Sequence, residues 1–222
     1  MIDFSNLHVG LTNRCTLGCP ECARNMQGGK YIHKMTDADT ETFKKFLSAA
    51  SVKHILFCGN WGDPIYSKDF LGLLEYIKTA NAECSITIHT NGAFKSIGWW
   101  KQLMQCLGDS DRIIFSIDGV PENYTSYRRN SKWESVKTAI ETVIDMKRKL
   151  CKNTSVEWKY LVFAYNEDNI QEAYNLSMDM GFNRFFLQEA IISENLELTT
   201  SKSFDEIQKV FYEAVSRSTL QT

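Results

Sequence analysis

Cys15-Thr16-Leu17-Gly18-Cys19-Pro20-Glu21-Cys22 follows directly on Leu7-His8-Val9-Gly10-Leu11-Thr12, an alternating segment that reads as a β-strand. The stretch sets three thiols at Cys-x3-Cys-x2-Cys spacing, with Ala23-Arg24 immediately after. Three thiolates hold three irons of a cubane and leave the fourth iron open to another ligand. The alternative is a structural zinc site, which normally closes with four protein ligands and often recruits a paired Cys or His knuckle. No second pair exists; His8 and His33 lie near the triad without knuckle spacing.

Outward from that loop, short β-branched or aromatic segments alternate with segments of helical periodicity. The strand candidates are 7–12, 54–58, 85–89, 112–117, 156–163 and 184–187. Between and after them, 69–78, 97–106, 133–149 and 169–180 carry apolar residues at three- and four-residue spacing. Thr36-Asp37-Ala38-Asp39 reads as a cap before a helix running to about Ala50, and Ser203-Phe204-Asp205-Glu206 as a capping box before Ile207 to about Ser216. Strand and helix in alternation imply parallel βα units with right-handed crossovers. The expected architecture is α/β, a partial (β/α)6 TIM-like barrel of parallel strands with its functional groups on the loops at the C-terminal strand ends.

The polar residues obey that rule. Gly59-Asn60-Trp61-Gly62-Asp63-Pro64 follows the second strand, His89-Thr90-Asn91-Gly92 the third, and Ser116-Ile117-Asp118-Gly119 the fourth. Glycine lets backbone approach a ligand closely, while Asn, Ser and Asp orient it by hydrogen bonds. Singly, each is also an ordinary βα turn, because turns favour the same residues. Trp61 is the one tryptophan in such a loop and a candidate stacking surface for substrate, and Gln188 at the end of the sixth strand is a candidate substrate contact. The Gly-containing loop 24–34 reads either as a cover over the cysteine loop or as a solvated connection.

Composition allows one sizeable core: 222 residues, 43% hydrophobic and 12% aromatic. Residues 1–193 are expected to form the core domain, and 194–222 a connector and helix packed on it. With 25 Lys+Arg against 27 Asp+Glu the net charge is -2, and no bulk attraction to nucleic acid or anionic lipid follows. The runs Arg128-Arg129 and Lys147-Arg148-Lys149 read as solvated faces. The first residues lack the features of a signal peptide, and no apolar run approaches the ~20 residues of a membrane span. A cytoplasmic location is expected, and a reducing compartment suits the seven Cys.

These motifs, over residues 7 to 190, resemble the radical S-adenosylmethionine (SAM) superfamily, in the branch of the molybdenum-cofactor cyclase and the peptide-modifying enzymes with SPASM or twitch extensions. The resemblance implies that Cys15, Cys19 and Cys22 hold one [4Fe-4S] cluster whose open iron is chelated by the amino and carboxylate groups of SAM. It implies that Gly59, Asn60, Gly62 and Asp63 stand where the family receives the SAM amino group, with Asp63 in the acidic place. Ser116 and Asp118 resemble the family's ribose and carboxylate contacts, with Asn91 beside them. Arg128 is a candidate for the SAM carboxylate, since a guanidinium grips one bidentately. The adenine region falls at Val162 to Asn166.

Two positions depart from the pattern. The residue before the third Cys is usually an aromatic that packs on adenine and is here Glu21, which leaves only a backbone contact. No Cys follows Cys151, so auxiliary-cluster cysteines are lacking. The implied activity is reductive cleavage of SAM to a 5′-deoxyadenosyl radical that abstracts hydrogen from a substrate, fed by an external one-electron reductant of flavodoxin or ferredoxin type. A peptide or protein is the first substrate class. A small metabolite or nucleotide, as in the 7-carboxy-7-deazaguanine synthases, is the second, and a non-catalytic iron–sulfur or zinc module is the third reading.

Overall fold

The structure is a computed structural model that describes residues 2–25, 34–193 and 195–219. The loop 24–34 therefore lies mostly outside the described residues. Strands β1 (Ile2–Phe4), β2 (Leu7–Val9), β3 (Ala50–Val52), β4 (His54–Phe57), β5 (Ser85–Thr90), β6 (Arg112–Ser116), β7 (Ser155–Val162) and β8 (Arg184–Glu189) alternate with helices α1 (Thr40–Ala49), α2 (Phe70–Ala80), α3 (Ile97–Cys106), α4 (Trp133–Lys149), α5 (Ile170–Met180) and α6 (Phe204–Thr219). Six strands form one parallel sheet in the order β2-β4-β5-β6-β7-β8, open between β2 and β8. This is the expected α/β arrangement of parallel βα units.

Strand alternation sorts the two faces of that sheet. Ile55, Phe57, Ile86, Ile88, Ile113, Phe115, Val156 and Trp158 are fully buried beneath the helices. The other parity is polar. His54 Nε2 meets Thr87 Oγ1 at 3.0 Å, and Arg112 Nε lies 2.9 Å from Glu157 Oε1, with Arg184 Nη1 at 4.0 Å from the other oxygen. Register pairs Thr87 with Arg112 and Glu157 with Arg184, so these groups form a charged floor across the strand starts. A sheet face that buries charge needs a lined cavity rather than a dry core.

Local chemistry sets the helix starts. The Asp39 carboxylate accepts the Glu41 N–H at 3.0 Å and begins α1, inside the expected cap. Ser203 and Glu206 form the reciprocal box: the Ser203 N–H donates to Glu206 Oε2 at 3.0 Å and the Glu206 N–H to Ser203 Oγ at 3.4 Å. Helix α6 then buries Ile207 and Phe211, the latter ring 5.6 Å from both Tyr174 and Phe185. Strands β1 and β3 pair in a separate two-stranded sheet that sequence reading missed, because three residues carry too little alternation to register. Among the described residues no helix is long and apolar enough to cross a membrane.

Candidate active site

The cysteine loop leaves β2 and is gripped from two sides. On the first side the turn after β4 presses backbone on backbone. A Cβ on Gly62 would fall 2.3 Å from the Thr12 carbonyl oxygen, and one on Gly59 2.2 Å from that of Gly62. Neither position has room for any side chain, which is why both are glycine. The Asp63 N–H donates to the Arg14 carbonyl at 2.9 Å, just before Cys15. The buried Asp63 carboxylate accepts from Ile65 N–H at 3.2 Å, Thr90 Oγ1 at 3.0 Å and Asn91 N–H at 2.7 Å. Burial raises its pKa to about 6, and those donors oppose the rise.

On the second side, side chains make the contact. The Arg128 guanidinium places Nη2 2.6 Å from Asp118 Oδ2 and donates from Nη1 to Cys19 Sγ at 3.8 Å. Asp118 is wholly buried, and its Oδ1 accepts the Leu161 N–H at 2.9 Å. Asn166 locks the loop after β7 beneath it, donating to the carbonyls of Asp118 and Leu161 at 3.2 and 2.9 Å. The Gly18 N–H donates to the Arg129 carbonyl at 3.0 Å, so the middle of the cysteine loop is tied to the same element as Arg128.

Cys15, Cys19 and Cys22 are free thiols that line one hollow of about 220 Å³. That hollow shares Cys58, Gly59 and Asn60 with a polar one of about 580 Å³, and the pair falls in the ~300–1,000 Å³ range of ligand pockets. Three N–H donors point at two of the sulfurs: Asn91 Nδ2 at 3.4 Å and Leu17 N at 3.5 Å from Cys15 Sγ, besides Arg128 on Cys19. Such donors suit thiolates ligating a metal, whose electronics they tune. Burial, with Asp63 adding to it, pushes the Cys15 thiol up to about 11, and burial raises Cys19 against the pull of Arg128. Bound iron would supply the positive charge that drives the protons off. The residues present fit an iron–sulfur cluster with a ligand beside it.

The structure brings most of the sequence candidates to this hollow: Gly59, Asn60, Gly62, Asp63, Asn91, Ser116 and Arg128 line it with the triad. Asp118 is placed behind Arg128 and holds it. Glu21 turns away: its carboxylate accepts from Ser193 N–H at 2.8 Å, Ser193 Oγ at 3.0 Å and Asn195 N–H at 2.8 Å, tying the cysteine loop to the segment before α6. Trp61, 42% exposed, borders the larger hollow. Gln188 is exposed at the end of β8 and lines neither hollow. Lys159 lines the hollow without having been read from the sequence as a candidate, and His89 had been read only as part of the loop after the third strand. Their signal was a polar residue inside an apolar strand, at the cavity-facing parity of Thr87 and Glu157.

With that geometry in place, the likenesses to other proteins are informative. The pattern described as "Radical SAM superfamily" matches residues 9–185. A probable GTP 3',8-cyclase of Methanocaldococcus jannaschii is 25% identical over 182 residues, covering 81% of this chain and 57% of that protein. The GTP 3',8-cyclase of Desulforamulus reducens is 28% identical over 156 residues, covering 64% and 46%. The chain thus spans about half the length of the curated relatives it matches. Among solved structures, Streptococcus suis SuiB bound to S-adenosylmethionine superposes with a TM-score of 0.76 at 11% identity, over 97% of this chain and 48% of that one. The anSMEcpe protein with bound AdoMet gives 0.71 at 16%, over 96% and 62%. At such identities the structural likeness is one of fold, whereas the family pattern covers most of the sequence: the chain belongs to the radical SAM superfamily and is an enzyme of that type, a family that works with a [4Fe-4S] cluster and SAM.

Proposed function

We propose that Cys15, Cys19 and Cys22 each ligate one iron of a single [4Fe-4S] cluster and that SAM occupies the hollow beside them, so that the enzyme removes hydrogen from an unreactive C–H bond of a peptide or protein. The carrying observation is the hollow itself, where the triad meets the Gly59–Asp63 turn and Arg128. Bound and reduced, the cluster and SAM supply a 5′-deoxyadenosyl radical. The chain's own part is to bind, orient and shield. Asn91, Leu17 N–H and Arg128 stabilise thiolate charge. Arg128 keeps guanidinium donors for the SAM carboxylate: its Nε is buried without a partner among the described residues. The Gly59–Gly62 backbone offers carbonyls to the amino group, while Asp63 braces the turn from below. The peptide class is supported by the fold likeness to SuiB bound to precursor peptide SuiA, at a TM-score of 0.71. An external one-electron donor is part of the same reading.

A second substrate class, a nucleotide, is favoured by the GTP 3',8-cyclase relatives and by Trp61 at the rim of the larger hollow, where a base would stack. The test is anaerobic reconstitution, with iron and sulfide analysis and electron paramagnetic resonance. About four irons per chain are expected. Cys15→Ala, Cys19→Ala and Cys22→Ala should each lose them, and SAM should shift the spectrum and yield 5′-deoxyadenosine and methionine. Full iron content in the triad variants would overturn the ligand assignment.

A further inference from the structure

Among the described residues, Lys159 is a cation of the hollow with no ion-pair partner. Arg112 and Arg184 share Glu157, Arg128 has Asp118, and Lys78 has Asp111 at 2.6 Å. Lys159, opposite Ser116 on the sheet, lines the same hollow and makes no hydrogen bond or ion pair among the described residues. Burial, then the charge of Arg128, lowers its pKa, with Asp118 and Cys58 opposing. His89 lines the hollow with its Nδ1 buried and unpartnered. Burial, then Lys159, His8 and Arg112, lowers the imidazole to about 4, so it is neutral at pH 7 and able to donate from Nδ1 in that tautomer. A half-buried ammonium in the same hollow as a buried, unpartnered ring nitrogen marks a place where a ligand completes the hydrogen bonding.

We infer that Lys159 and His89 form a receptor for an anionic group of the substrate, a carboxylate or a phosphate, on the Cys58 side of the hollow. The inference rests on the cluster and SAM reading for one point. On that reading the SAM carboxylate would lie beside the thiols, where Arg128 stands 3.8 Å from Cys19 Sγ and would hold it. Arg128, already paired with Asp118, is the main cation acting on Lys159, whereas Lys159 has no ion pair or hydrogen bond among the described residues and is open to a second anion.

The experiment titrates the reconstituted, SAM-saturated protein calorimetrically with acetate, inorganic phosphate and GTP. At least one of the three should bind. Lys159→Met should weaken that binding at least tenfold and by more than it weakens SAM, and Lys159→Arg should recover part of it. Acetate as the better ligand points to a carboxylate-bearing substrate, and phosphate with GTP to a phosphorylated one. The inference falls if no anion binds the wild type, if Lys159→Met and Lys159→Arg bind as the wild type does, or if Lys159→Met weakens SAM at least as much as the anion. Iron content and the SAM-induced spectral change report separately on the underlying reading. Lys159-dependent anion binding to the cluster-free chain would keep the receptor even if that reading failed.

Discussion

The two grips on the cysteine loop use opposite physics. After β4, backbone lies on backbone, and Gly59 and Gly62 leave no space for a Cβ. After β6, a buried ion pair, Arg128 with Asp118, reaches over to Cys19. The first grip fixes shape and puts carbonyls and N–H groups where a ligand would meet them. The second fixes charge, delivering a guanidinium into a low-dielectric hollow while Asp118 neutralises it from behind. Shape is lost through a methyl group, charge through a single amide.

Breaking the charged grip should have the largest effect. Asp118→Asn leaves Arg128 buried without its counter-charge, and removing one partner of a buried pair costs about 3–5 kcal/mol. Urea unfolding of the protein as purified checks this, and a loss under about 1 kcal/mol would show that Arg128 escapes to solvent. The shape grip comes next. Gly62→Ala forces a methyl against the Thr12 carbonyl and should cost about 3 kcal/mol, the top of the usual overpacking range. Gly10→Ala, whose Cβ meets nothing within 4 Å, should stay within about 0.5 kcal/mol in the same assay. Equal effects at the two glycines would refute the close-approach argument.

His89, on the strand between the grips, sharpens the comparison through pH. Its pKa falls from 6.5 to about 4 on folding. The unfolded chain binds that proton between about pH 6.5 and 4 while the folded one does not, so this contribution is complete above 6.5 and lost as pH falls to 4. His89→Gln should flatten the acid limb of the stability curve by on the order of 2 kcal/mol. Asp63 works with the opposite sign, its folded pKa being raised to about 6, so the difference between variant and wild type is the quantity to measure. An unchanged acid limb in His89→Gln would show that the imidazole is solvated. The smallest effect belongs to Glu21→Gln. Its hydrogen bonds to 193 and 195 are exposed or half-buried, and their loss should cost about 1 kcal/mol or less. Faster amide exchange at 193 and 195 is the readout, and unchanged exchange would mean the tether is idle.

The legible part of this protein was the part written in spacing. The cysteine run, helices 97–106 and 133–149 and the box at Ser203 depend on neighbours a few residues away, and the structure reproduces them with their boundaries. The three glycine-bearing loops also fell where the βα rule put them. What spacing could not show was a partner far along the chain. Glu21, where the resemblance has an aromatic and only a backbone contact was expected, turns its carboxylate to the backbone at 193 and 195. Asp118, expected among the cofactor contacts, pairs with Arg128.

Sequence alone therefore determined the βα order, the cysteine loop and the loops that surround it, because periodicity and turn chemistry act locally. Only the tertiary structure decided which polar groups are spent on one another and which remain for a ligand. Asp63, Asp118 and Glu21 are spent, while among the described residues Lys159 in the hollow makes no ion pair or hydrogen bond and His89 Nδ1 is buried without a partner. Pairing is a matter of distance in space, and register between β6 and β7 brings Ser116 and Lys159 together from 43 positions apart, beyond any local pattern.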